Sequence, residues 1–338
     1  MPEDANAGSA SWAAGIVNHG SFEDLERCLA SIARQSLAPQ DVSVWDTGQD
    51  AAAIARLAQR HPAVHFGGGT NEGYAGGANR VVRALRARAG DAPPDFVLLL
   101  NPDVDLDADF AETLLSAVAS DPAVALATGK LLRPDRRTLD SAGIVFPRHR
   151  RPRDRGSETL DDGRFDRAED VDAASGAALL IRADAIDRLA IDGELFDESF
   201  FAYHEDTDLG WRARRLGYRV RYVPAAVAVH GRGWKRAERD RVPVEIRRHS
   251  FKNHYLQLVK NERAVDLLRN APWLVTWEIL RAGFVALRDP ALLPAYRDAA
   301  RLAGTAWRRR GLIRERSRAQ VSRSTIASEP IHSPRVEP

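Results

Sequence analysis

Three carboxylates fall within four positions, Glu205, Asp206 and Asp208, in the segment YHEDTDLGWRARRLGY, just ahead of an arginine-rich helical stretch. The helix dipole favours acidic residues at such a start, so one of them, with Asp208 the first choice, can serve as a cap. Three exceed what capping requires. Clustered like charges raise one another's proton affinity, which would poise one carboxylate as a general base toward a hydroxyl nucleophile. A second acidic group, Asp103 and Asp105 in NPDVD, follows the apolar run FVLLL. One or two carboxylates suffice to hold Mn2+ or Mg2+ when nucleotide phosphates and water complete the shell. A plain turn stays open, since Asn, Pro and Asp are turn residues and Asp107 or Asp109 can cap the next helix. His230 closes the strand-like RVRYVPAAVAVH. Its imidazole suits manganese-like ions; the alternative is an ordinary core or surface histidine.

Two further segments could meet an anionic nucleotide. TNEGYAGGANR places glycines where backbone must approach a ligand closely, and small residues at a helix start expose amides to a diphosphate. Its spacing does not match the dinucleotide-binding G-x-G-x-x-G, which disfavours a nicotinamide dehydrogenase. Asp46, closing VSVWD, could accept hydrogen bonds from a nucleoside or could be a turn aspartate before Gly48.

Alternating apolar strands and amphipathic helices position these groups. Short strands at Ala13 to Val17, Val42 to Asp46 and VHF alternate with helical FEDLERCLASIARQS and AAAIARLAQRH. A glycine-rich loop separates VHF from a helix over Val81 to Arg88, and FVLLL reads as a central strand buried on both faces. This is an α/β pattern with a mostly parallel sheet. In such sheets ligands collect at the carboxyl ends of the strands, so the loops after Val17, Val44, Phe66 and Leu100 are the candidates. From Pro134 to Asp172 the pattern dissolves into charge, Pro and Gly, predicting a mobile loop. Residues beyond Val242 read as helices. There APWLVTWEILRAGFVALRDP is apolar round much of its circumference, fitting a helix packed on protein or one lying in a membrane interface.

Composition narrows the function classes. A net charge of +2 argues against nucleic acid as partner. The single cysteine, Cys28, reads as a small buried residue, and there is no disulfide framework. The N-terminal residues lack signal-peptide features and no stretch has the apolar length of a membrane span, so the expectation is a cytoplasmic protein.

In order and spacing, IVNHGSFEDLERCLASI, the aspartate of VSVWD, TNEGYAGGANR, LLLNPDVD, SGAALLIR, FDESFFAYHEDTDLGWRARRLG and AVAVHGRG resemble the successive motifs of family 2 glycosyltransferases. The resemblance spans Ala13 to Trp234 and is nearest the rhamnosyltransferase-like and galactofuranosyltransferase-like branch. It implies a GT-A, Rossmann-like, mostly parallel sheet flanked by helices, with a helical C-terminal extension. The expected division is a flexible N-terminus at 1–12, the GT-A domain at 13–241, the extension at 242–316 and a disordered tail at 317–338.

Carried over residue by residue, the resemblance puts Asn18 and Asp46 at the nucleoside and Asn71, Gly76, Gly77 and Asn79 near the donor. It makes Asp103 a metal and donor ligand and His230 the additional metal ligand. Asp206 resembles the catalytic base, with Ser175, Gly176, Glu205 and Trp234 around the sugar or acceptor. His19 and Gly20 stand where the family usually has an aromatic residue and asparagine, and Asp46-Thr47 where it commonly has Asp-Asn. The implied reaction is inverting, metal-assisted transfer from a dTDP- or UDP-linked sugar to a glycan or polyprenyl-linked acceptor in cell-envelope polysaccharide synthesis. Peripheral membrane contact through the C-terminal helices and a homo-oligomer stay open. A sugar nucleotidyltransferase would need a basic residue on the phosphates early in the chain, and the stretch before Phe22 has no Lys or Arg. A non-catalytic nucleotide-sugar-binding protein would have no need to keep Asp103, Asp206 and His230 together.

Overall fold

The computed structural model describes residues 10–48, 50–232 and 242–327. Its first half alternates strand and helix: β1 (Trp12–Asn18), α1 (Phe22–Ala33), β2 (Asp41–Asp46), α2 (Ala51–Arg60), β3 (Val64–Gly68), α3 (Gly73–Arg88) and β4 (Phe96–Leu100). Next come β5 (Val104–Leu106), α4 (Phe110–Val118), β6 (Val124–Leu132), and the short β7 (Leu139–Ser141), β8 (Ile144–Val145), β9 (Arg153–Asp154) and β10 (Glu169–Asp170). The chain then forms β11 (Ala178–Arg182), α5 (Ile186–Leu189), α6 (Glu205–Arg215) and β12 (Arg219–His230). Three helices complete it: α7 (Val244–Asn261), α8 (Ala264–Arg288) and α9 (Leu293–Ala327).

The sheet runs β10-β12-β6-β11-β4-β1-β2-β3, with β5 added on β12 and β7 on β6. The principal strands are parallel except β11, which is antiparallel to both neighbours. Alternate residues face opposite layers. Ala14 and Ile16 of β1 pack with Leu25, Cys28 and Leu57, while Ala13 and Val17 pack with Val81, Leu85 and Leu209. Both faces are covered, so every residue of β1 and β4 is buried. Trp12, placed by the sequence in a flexible N-terminus, is the first residue of β1 and fully buried.

Three other expectations change. The loop expected before Val81 is instead the first two turns of α3. Glycine weakens an isolated helix, but here it lets α3 lie against the sheet: a Cβ on Gly77 would come within 2.6 Å of Val17 Cγ1. The region 134–172, expected as a mobile loop, carries β7 to β10 and folds back on the sheet, with Leu139, Asp140 and Ser141 fully buried. The C-terminal helix runs to Ala327, past the expected end at 316.

The C-terminal helices are tied to the sheet domain by charge. Lys260 of α7 is fully buried, with Nζ 2.6 Å from Asp197 Oδ2 and 2.8 Å from Asp208 Oδ2, and Arg309 of α9 reaches Asp197 Oδ1 at 2.6 Å. Asp208 is thus not a cap but the anchor of α6 on α7, where Asn261 also donates to its Oδ1 over 2.7 Å.

Candidate active site

Strand register brings the metal candidates together. The antiparallel β5–β12 ladder sets Val104 opposite His230, so Asp103 is next to His230, and the Gly231 N–H donates to the Asp103 carbonyl over 2.7 Å. His230 Nε2 and Asp103 Oδ1 are 3.3 Å apart. On the other ring edge, His230 Nδ1 is 2.7 Å from Oδ2 of Asp140, a fully buried residue of β7. The far oxygen of Asp140 has Arg133 Nε at 2.9 Å and Arg232 Nε at 3.3 Å. Burial works against a charged imidazole, but hydrogen bonds and charge from Asp103 and Asp140 outweigh it and raise its pKa to about 9. The same contact from His230 lowers Asp103 despite its burial.

The arrangement fits a divalent cation. A carboxylate and an imidazole nitrogen 3.3 Å apart can share an ion with ligand distances of about 2.1 Å, and a carboxylate behind Nδ1 fixes the tautomer that offers Nε2. Among the described residues no group of three or more His, Cys, Asp or Glu could hold a metal ion by itself, so phosphates and water would have to complete the shell. Asp105 is exposed and pairs with Arg34 at 3.1 Å.

Asp206 lies in the first turn of α6. Its Oδ2 accepts from the Gly176 N–H over 2.9 Å and its Oδ1 from the Thr207 N–H over 2.7 Å. Burial pushes its pKa up to about 6, the nearby Asp154 adding to this and the two N–H donors opposing it. Glu205 is buried with Oε2 lacking a partner, and burial and the Asp206 charge raise its pKa well above the usual range. Gly176 leaves room for this carboxylate, since a Cβ there would sit 3.1 Å from Asp206 Oδ2. Tyr74 donates to the Gly176 carbonyl over 3.2 Å.

The loop ahead of α6 is strained: Phe201, Tyr203 and His204 all have positive φ, between 66° and 70°. Asn253 of α7 holds it by donating to the carbonyls of Phe200, Ala202 and Tyr203 at 2.8, 3.0 and 2.7 Å.

A cavity of about 820 Å³ joins Asp103 and His230 to Ser175, Gly176, Glu205 and Asp206. The other expected residues stand elsewhere. Asn18 and Asp46 end β1 and β2 and bond to each other, Asn18 Nδ2 to Asp46 Oδ1 at 2.6 Å, leaving the buried Asn18 Oδ1 without a partner. Because β4 is next to β1, their strand ends flank the turn bearing Asp103. Asn71 is exposed and its Oδ1 accepts from the Gly73 N–H over 2.9 Å, a turn that starts α3. Gly76 and Gly77 are buried packing positions. Asn79 has both amide atoms committed to the Phe196 backbone at 2.9 Å. Trp234 lies outside the described residues. Reading the sequence missed Asp140, Arg133 and Asn253. The one available signal for Asp140 was its place between Leu139 and Ala142 in an otherwise polar stretch.

Known proteins share this architecture. The model of a family described as glycosyltransferase-like family 2 matches residues 13–260. An N-acetylglucosaminyl-diphospho-decaprenol L-rhamnosyltransferase of Mycobacterium tuberculosis is 32% identical over 237 residues, 63% of this chain and 74% of the relative. The rhamnosyltransferase WbbL of Escherichia coli is 25% identical over 231 residues, 64% of this chain and 81% of that protein. Among solved structures, a mannosyltransferase from Pyrobaculum calidifontis in complex with GDP-Man and Mn2+ matches with a TM-score of 0.51 at 18% identity, over 97% of this chain and 92% of its own. GalNAc-T7 with UDP, GalNAc and Mn2+ matches with a TM-score of 0.55 at 10% identity, over 74% of this chain and 48% of its own. The fold is therefore that of the GT-A glycosyltransferases, and the chain belongs to glycosyltransferase family 2.

Proposed function

We propose that the chain transfers a rhamnose-like hexose from a nucleoside diphosphate sugar to a hydroxyl of a lipid-linked glycan acceptor, with inversion, in cell-envelope polysaccharide synthesis. The observation that carries this reading is that one cavity is lined by both Asp206 and the Asp103–His230 pair. Asp206 takes the proton of the acceptor hydroxyl, whose oxygen attacks the anomeric carbon as the nucleoside diphosphate leaves on the opposite side. The Gly176 and Thr207 N–H groups fix the carboxylate in place, and its raised pKa matches a base working near neutrality. Asp103 and His230 would hold Mn2+ or Mg2+, which when bound offsets the charge of the departing diphosphate. Asn18 and Asp46 would meet the nucleoside, the unpaired Asn18 Oδ1 being a ready acceptor. No helix among the described residues is long and apolar enough to cross a membrane. The exposed apolar residues of α8 support peripheral contact with the cytoplasmic face of the membrane that carries the acceptor.

The test is transfer to N-acetylglucosaminyl-diphospho-polyprenol from dTDP-rhamnose, UDP-galactofuranose, UDP-glucose or GDP-mannose, with and without Mn2+, read by mass spectrometry. Mn2+-dependent addition of one sugar, abolished by Asp206→Asn, is expected. Nucleotide binding without transfer from any donor would leave a non-catalytic binding protein instead.

A further inference from the structure

The reaction cavity does not end at Asp206. It shares Arg151 and Ser250 with a neighbouring cavity of about 480 Å³ that reaches Trp277, and both residues also border a third, of about 260 Å³, between α7 and α8. His204, two residues before Asp206, lines both the reaction cavity and this third space. The inner wall is apolar, formed by Phe251, Trp277, Val285 and Leu292, while Leu280 and Phe284 make its lip at 63% and 48% exposure. Leu280, Phe284 and Leu287 recur at i, i+4 and i+7, so the apolar surface continues along one side of α8 beyond the lip.

The same cleft is cationic where it meets the reaction cavity. Arg151 stands at the junction, and Arg281 lies in the wall, its guanidinium 3.9 Å from the Phe251 ring centre and 5.0 Å from that of Tyr255. Arg281 Nη1 is buried without a hydrogen bond, its ion-pair partner Glu278 Oε1 standing 3.6 Å away. His254, 1% exposed, also lines the cleft, and neither ring nitrogen has a hydrogen-bond partner, the nearest carboxylate oxygen of Glu278 being 3.5 Å away. Both groups lean on one Glu278 oxygen at 3.5 and 3.6 Å, and buried polar groups seldom stay without a hydrogen bond unless something else completes them. An occupant with an anionic head and a long apolar tail satisfies the cleft at both ends.

We propose that the α7–α8 cleft binds the prenyl diphosphate of the acceptor, its phosphates at Arg151 and Arg281 and its first isoprene units against Trp277, Leu280 and Phe284. This rests on the transferase reading and adds where the lipid lies. The acceptor sugar, attached to the diphosphate, then extends through the shared opening toward Asp206. The rest of the prenyl chain leaves over Leu287.

The test is calorimetric binding of geranylgeranyl diphosphate, inorganic pyrophosphate and geranylgeraniol to the full chain, its Leu280→Asp/Phe284→Asp variant and its Arg281→Gln variant. The lip positions are 63% and 48% exposed, and Mn2+-dependent binding of nucleoside diphosphate by each variant checks its folding. Geranylgeranyl diphosphate is expected to bind at least tenfold more tightly than either fragment. The lip variant should lose that advantage over pyrophosphate, and Arg281→Gln the advantage over the alcohol. Equal binding of the lipid and pyrophosphate, or undiminished lipid binding by the lip variant, would overturn the proposal. So would conversion of a dimer to a monomer by the lip substitutions without effect on the lipid, since a second copy would then cover the cleft. If nucleotide binds and the lipid does not, only this proposal falls. If nucleotide fails to bind even the unmodified chain, the transferase reading falls first.

Discussion

Asp140 Oδ2 stands 2.7 Å from Nδ1 of His230, on the ring edge opposite Asp103. The contact obliges the imidazole to carry its proton on Nδ1 whenever Nε2 serves as a ligand. Replacing Asp140 with Asn keeps the size and removes the charge that holds this tautomer. Mn2+ affinity, measured by electron paramagnetic resonance of the free ion, is expected to fall about 10- to 100-fold. Unchanged affinity would mean that His230 is oriented by other contacts.

The pH profile follows from Asp206. As the proposed base it must be ionised to accept a proton, and its pKa is raised to about 6. The rate at saturating substrate should therefore fall tenfold per unit as pH drops below 6 and level off above 7. Asp206→Asn should lower kcat on the order of a hundredfold or more with the nucleotide affinity retained. A flat profile between pH 5 and 8 would remove Asp206 from the role of base.

Glu205 tests the same charge cluster through stability. Its folded pKa lies well above the unfolded value, so the native protein holds a proton that the unfolded chain has released. Native stability then declines as pH rises through that window, with the full contribution present only below the unfolded pKa of about 4.3. A Gln at 205 does not titrate and escapes this loss. The Tm of Glu205→Gln relative to the unmodified chain should thus climb as pH goes from 5 to 8. A constant difference would show that Glu205 is not held protonated.

Much of the scaffold was legible because strand burial writes itself as apolar runs: β1, β2 and β4 stand close to where their sequences place them. The start of α3 was not, because glycine carries a helix penalty and the contact of Gly77 with Val17, which reverses the local preference, is tertiary. In the site, Asp103, Asp206 and His230 stood out by type and by position at element ends. Asp140 did not, since β7 is three residues long and takes its burial from β6 and not from any periodicity of its own. Lys260 and Asn253 looked like ordinary polar positions of a helix. Only the packing of α7 on α6 turns them inward.

The buried charge of Lys260 sets a stability prediction. Lys260→Met would leave Asp208 and Asp197 without their shared cation, although Asn261 and the more distant Arg212 remain at Asp208 and Arg309 at Asp197. Breaking a buried pair in this way costs about 3–5 kcal/mol. For a chain of this size that is a drop in Tm on the order of 10 °C, read by calorimetry. A drop within 2 °C would place the Lys260 charge in a hydrated setting.

Asn253 links that packing to the proposed base. Phe201, Tyr203 and His204 hold backbone conformations that cost non-glycine residues about 1–3 kcal/mol each, so the loop needs outside support to keep the start of α6 in place. The carboxamide of Asn253 provides it through three carbonyls at once. In Asn253→Ala those carbonyls lose their donor, the loop relaxes, and the carboxylate of Asp206 shifts against Gly176. Displacements of about 1 Å cost up to a hundredfold in rate, so kcat is expected to fall about 10- to 100-fold. The nucleotide, whose proposed site is at the ends of β1 and β2, should keep its affinity. Asn253→Asp should do worse than alanine, because it sets a negative charge against the same three oxygens. If both variants instead lose nucleotide affinity and rate in parallel, α7 supports the whole domain and not the catalytic loop in particular.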